Sequence, residues 1–205
     1  MSHHCPISLS KMTAATAVFV TALSSCSDLA LPSEESNSLA DLLLLSQQPN
    51  APEPPTVSFW VSNTRQSVER ITHPDNFNTL YLQLEFPANS LESLNGSVLG
   101  ANDSLFVTID PRPDAYGFTM SPSGIEFVAG ASPTATFSFS VYGDATSGAI
   151  SAAYGSSADF VAALEVWYEA TVDRWEIAPG SGSAGADAVR ASLESSGRFV
   201  LAATR

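Results

Sequence analysis

The chain has 205 residues and a formal charge of −13, from 21 acidic against 8 basic side chains. That imbalance excludes nucleic acid and an anionic lipid surface as charge-driven partners, because both need clustered basic side chains. The only cysteines, Cys5 and Cys26, both lie in the N-terminal stretch, so no disulfide framework supports a domain further along.

Lys11 precedes an apolar run from Ala14 to Leu23. The run is too short to span a bilayer and has the length of a signal-peptide core. It closes on Leu23, Ser24, Ser25 and Cys26. This Leu-Ser-Ser-Cys resembles the lipobox of bacterial lipoproteins, and the resemblance implies a diacylglycerol on the Cys26 thiol with cleavage just before it. The small Ser24 and Ser25 let a peptidase bring its catalytic groups close to the scissile backbone. One acyl chain, at about 0.8 kcal/mol per buried methylene, holds a protein only marginally, whereas two or three anchor it stably. Ser27 in place of aspartate resembles the outer-membrane default of lipoprotein sorting. Residues 1–25 are therefore expected as a lipoprotein signal peptide. The membrane, reached through the lipid, is the first expected partner, and the outer membrane of the cell envelope is the expected location.

Residues 26–55 read as a lipid-anchored, flexible tether. Pro32 to Asn37 is polar and turn-prone, and Gln47 to Pro55 is proline-rich and extended in preference. Between them Ser38 is a cap for a short helix whose leucines, Leu39 to Leu45, have two destinations: the chain's own domain or a partner.

From Thr56 the apolar period changes to two. Val57, Phe59 and Val61 alternate with Ser58, Trp60 and Ser62, and Leu80, Leu82, Leu84 and Phe86 alternate with Tyr81, Gln83 and Glu85. Ala135, Phe137, Phe139 and Val141 repeat the pattern, which marks strands with one buried and one wet face. Further strands are expected at 105–109, 116–120, 125–128, 160–169, 172–177, 188–193 and 198–202, separated by Asn-Gly, Pro-Asp and Ser-Gly turns. No stretch keeps a helical period. Residues 56–205 are therefore expected as one all-β domain, an antiparallel β-sandwich.

Phe86-Pro87-Ala88-Asn89-Ser90-Leu91, Phe106-Val107-Thr108-Ile109, Ser121-Pro122-Ser123-Gly124-Ile125-Glu126-Phe127 and Ser196-Gly197-Arg198-Phe199-Val200-Leu201 follow one another in an order that resembles a known family. It is the β-sandwich domain shared by zonula occludens proteins, netrin receptors and ankyrins, which also occurs in bacterial surface lipoproteins. Asn89 stands where the family carries glycine, a left-handed position that asparagine tolerates. Gly197-Arg198-Phe199-Val200 lacks the His-Phe-Ser at which some relatives cleave themselves, so self-cleavage is not implied. The resemblance implies a protein-interaction module.

The chemistry-bearing residues point the same way. Past the leader one histidine remains, His73, in a Thr-His-Pro-Asp segment expected as a surface loop, and no Gly-x-Ser-x-Gly elbow accompanies it. Histidine-based zinc binding and triad catalysis both lack their parts. Gly180 to Gly185 spells a dinucleotide fingerprint, but Pro179 precedes it and no βαβ unit surrounds it, so it reads as a loop between strands. Asp103, Asp110, Asp114, Asp144, Asp159, Asp173 and Asp187 fall in turns and strand ends, where calcium is a possible ligand, although no EF-hand run appears. Trp60 and Tyr81 fall by alternation on wet faces, where an aromatic ring stacks on a sugar or anchors a protein. The expected function is a non-catalytic, lipid-anchored envelope protein for adhesion or scaffolding, without a cofactor. The alternative is a carbohydrate-binding module, with or without calcium.

Overall fold

The period-two segments form strands because β-branched and aromatic residues on alternate positions bury one face of a pleated surface. The computed structural model describes residues 37–205. Cys26, with Leu23, Ser24 and Ser25, lies outside the described residues, as does the first part of the expected tether. A single 3₁₀ turn at Leu39–Asp41 leads into β1 (Leu42–Leu44) and β2 (Ser46–Gln47). There follow β3 (Val57–Ser62), β4 (Ser67–Thr72), β5 (Leu80–Phe86), β6 (Leu91–Leu94), β7 (Ser97–Val98), β8 (Ser104–Pro111) and β9 (Gly117–Ser121). Next come β10 (Ile125–Phe127), β11 (Thr134–Ser138), β12 (Gly143–Asp144), and two short helices, α1 (Gly148–Tyr154) and α2 (Ser157–Ala162). The described chain closes with β13 (Glu165–Thr171), β14 (Arg174–Ile177), β15 (Gly182–Gly185), β16 (Ala188–Ser192) and β17 (Arg198–Thr204).

The larger sheet runs β14-β13-β17-β9-β8-β3, and the second runs β15-β16-β11-β5-β4. Two small ladders, β10-β6-β7 and β12-β2, complete the set. Every pairing among named strands is antiparallel. Strand β17 pairs with β13 on one side; on the other it pairs with β9 along its first half and with β1 along its second. The inner faces of the two large sheets share one apolar cluster. Val107, Ile109, Phe118 and Leu201 of the first meet Leu82, Leu84, Phe137 and Val189 of the second, and all are buried. The fold is all-β, antiparallel and sandwich-like, as the alternation predicts.

Several sequence expectations change. The tether does not extend to Pro55. Leu43 and Leu45 enter the main core, while Leu42 packs on the outer face of the larger sheet against Trp167, Trp175, Val200 and Ala202. A leucine run buried on both faces belongs to the core, and β1 pairs its backbone with β17 through Leu42↔Thr204 and Leu44↔Ala202. Beyond it, Gln47 and Gln48 donate backbone N–H groups to the carbonyls of Asp114 and Tyr142, and Pro54 is buried. The strand expected at 160–169 is divided between α2 and β13. Ser147 and Ser156 accept hydrogen bonds from the backbone N–H groups of Ile150 and Asp159, capping two helices too short to show a period. Their apolar anchors are Ile150 and Phe160, both buried. The third change concerns Tyr81.

Candidate functional site

Strand β3 lies at the edge of the larger sheet, with β8 as its one ladder partner. Its even-numbered side chains face outward, because Phe59 and Val61 are drawn to the core on the other face. In the β3–β8 register Trp60 stands directly opposite Phe106. The rings meet at a centroid distance of 5.2 Å and a tilt of 55°. Trp60 is 63% exposed and Phe106 51%. Cross-strand aromatic pairs stabilise a sheet modestly, and this pair leaves most of its surface to solvent. Its neighbours along the ladder are polar: Ser58 and Thr108 share a 2.8 Å hydrogen bond, and Thr56 donates to Asp110 at 2.6 Å. The result is an apolar island on a hydroxyl-lined outer face. Alternation along β3 and β8 locates both rings; their contact across the ladder needs the register.

Tyr81 is not part of this surface. In the β4–β5 ladder Ile71 faces Leu82 and Thr72 faces Leu80, so Tyr81 is the extra residue of a bulge. The bulge resets the parity, and Tyr81 and Leu82 are both buried. The Tyr81 hydroxyl donates to the Gly117 carbonyl at 2.6 Å and accepts from the Gly117 N–H at 2.9 Å. Its ring stacks on Tyr116 at 5.0 Å. Burial pushes its phenol well above the ordinary value. Tyr81 ties the two sheets together rather than meeting a ligand.

His73 is likewise not in a surface loop. It is buried, with Tyr142 at 4.5 Å and Tyr81 at 5.5 Å between ring centroids. Nδ1 lies 2.6 Å from the Pro52 carbonyl oxygen, which only an N–H can satisfy, so Nδ1 donates. Among the described residues Nε2 has no hydrogen-bond partner and no serine oxygen engages it; the ring is held as packing.

Three of these aspartates accept hydrogen bonds from their own turns, and Asp110 accepts from Thr56. Asp103 accepts from the Gly100 N–H, Asp144 from the Thr146 N–H and hydroxyl, and Asp159 from the Ser156 hydroxyl. Among the described residues no three His, Cys, Asp or Glu side chains gather as a metal site. The Gly180–Gly185 segment includes edge strand β15, paired with β16, and opens no helix. Among the described residues no helix is long and apolar enough to cross a membrane.

No protein-family model, no curated protein and no solved structure matches this chain.

Proposed function

We propose that this chain is a lipid-anchored, non-catalytic protein of the bacterial cell envelope, held at the outer membrane through Cys26, and that it docks a protein partner on the outer face of β3 and β8. The observation that carries the docking reading is the exposed Trp60–Phe106 pair on an edge strand. Large aromatics ringed by polar groups are the side chains that dominate binding energy at protein interfaces. The order of motifs that resembles the interaction domain of zonula occludens proteins, netrin receptors and ankyrins supports the same class. The absence of catalysis draws on His73, whose ring is buried and whose one hydrogen bond goes to a backbone carbonyl.

A photo-crosslinking side chain in place of Phe106, on the lipidated protein in cells, is expected to capture one discrete protein. Trp60→Ala is expected to abolish that capture, a loss of about 2 kcal/mol or more in binding. Stability should change by only about 0.5 kcal/mol, since the ring is largely solvated. Capture that survives Trp60→Ala overturns the docking face. The second reading, a glycan stacked on Trp60, is favoured by the same exposed ring; binding on a glycan array lost in Trp60→Ala, with and without calcium, identifies it. The anchor has its own test: mass spectrometry should find a thioether lipid on Cys26, and Cys26→Ser should release the protein from the membrane fraction.

A further inference from the structure

The two large sheets end in four edge strands, β14 and β3 in the larger and β15 and β4 in the second. An edge presents unpaired N–H and C=O groups, and folded proteins guard such rows with charge, proline, a bulge or a covering segment. Three of the four are guarded. Asn37 takes both backbone groups of Trp175 in β14, and β4 carries Glu69 and Arg70. Strand β15 is short, bounded by Gly182 and Gly185, and shifts its register against β16. Strand β3 has six residues, Val-Ser-Phe-Trp-Val-Ser, with no charge, no proline and no break in its register against β8.

The Asn63 N–H donates to the Asp103 carbonyl at 3.0 Å, one step beyond the Ser62↔Ser104 pair. Bonded pairs alternate along an antiparallel ladder, so Val57, Phe59 and Val61 direct their backbone groups to β8, whereas Ser58 and Trp60 turn theirs outward. Ser62 also turns outward, and Arg65 bridges to it across the turn. Among the described residues no backbone group pairs with Ser58 or Trp60 on that side. Two exposed charges flank the strand, Glu53 before it and Arg65 after it, and among the described residues neither has an ion-pair partner. A strand with opposite charges at its two ends is complementary to its own reversed copy. Two chains running antiparallel bring Arg65 of each to the Glu53 end of the other, and the uncharged strand between them adds no repulsion in a chain of charge −13.

We propose that β3 pairs with β3 of a second copy of this chain about a two-fold axis at Ser58, with Thr56 of each copy facing Trp60 of the other. This register uses the free outward groups and avoids Ser62, and the two-fold axis closes the assembly at two copies. The inference rests on the docking reading above and names its partner, since the two Trp60–Phe106 pairs then share one continuous outer face.

Sedimentation of the full chain at about 0.1 mM, a concentration suited to a small interface, is expected to give twice the monomer mass. In a full chain carrying Cys5→Ser and Cys26→Ser, Ser58→Cys should form a disulfide-linked pair on mild oxidation, because facing residues of a bonded pair stand about 5.5 Å apart. Thr108→Cys is the control: it lies opposite Ser58 in the β3–β8 ladder. Three strand spacings, about 14 Å, would separate it from its twin, too far for a disulfide. Arg65→Glu and Glu53→Arg should each weaken the dimer about tenfold, and the two together should restore it. Both sites are exposed, so these variants test pairing rather than folding. A monomer by sedimentation, a thiol at 58 that links no faster than one at 108, or a charge reversal that fails to restore the dimer overturns the proposal. Photo-capture at Phe106 should yield another copy of the chain. Capture of a different protein there, lost in Trp60→Ala, leaves the docking face standing and overturns self-pairing alone.

Discussion

Tyr81 shows how a single bulge residue changes the role of a side chain. Tyr81→Phe keeps the ring but leaves the Gly117 N–H and carbonyl without their shared hydroxyl. It is expected to cost about 1–3 kcal/mol in urea unfolding, because both groups stay buried. Asp75 is the residue on which acid should act. Its carboxylate accepts from the Thr79 hydroxyl and N–H, the Tyr142 hydroxyl and the Phe77 N–H, and the Thr79 bonds lead in lowering its pKa from 3.8 to about 2. A depressed carboxyl stabilises the fold above its unfolded value. That contribution fades as pH falls from 3.8 towards 2 and is gone below it. Asp75→Asn should therefore flatten the pH dependence of the unfolding midpoint across that window and leave the slope elsewhere unchanged. Trp60 was readable from alternation because β3 keeps strict parity. Tyr81 was not, since the bulge that inverts it depends on how β4 and β5 pair, and pairing is not written locally. His73 misleads for a related reason: a polar residue before proline reads as a loop, and the carbonyl of Pro52 that accepts from it lies 21 positions away.

At the scale of elements, strong alternation gave strands where expected: β3 and β5 coincide with two of the clearest period-two runs, and β11 takes the first part of the third, ending at Ser138 and leaving Val141 exposed. Leu39 to Leu45 carries no polar alternation, so it has no wet face for the period to reveal, and the strand becomes visible only when β17 is there to receive it. Leu43→Ala is expected to destabilise by about 2–5 kcal/mol, measured by thermal or urea unfolding. A tether leucine in solvent would change nothing. Helices α1 and α2 escaped detection because seven and six residues hold too few turns to display an amphipathic face. Their serine caps were the available signal, and serine is too common in this chain for a cap to stand out.

For the molecule as a whole, most stabilising contacts join distant parts of the chain. Strand β1 meets β17, β3 meets β8, and β11 lies between β5 and β16. Such long-range pairing makes folding slow, on the order of milliseconds to seconds, and stopped-flow refolding should find it there rather than in microseconds. A chain stopped after Leu193 is expected to show no cooperative unfolding, because β9, β13 and β1 all lose the strand between them. The order of synthesis gives that arrangement a further meaning. The hub of the larger sheet emerges after every strand it joins, so β9, β13 and β1 have no common partner until Arg198 and its successors arrive. Until that moment the larger sheet stays open between β9 and β13.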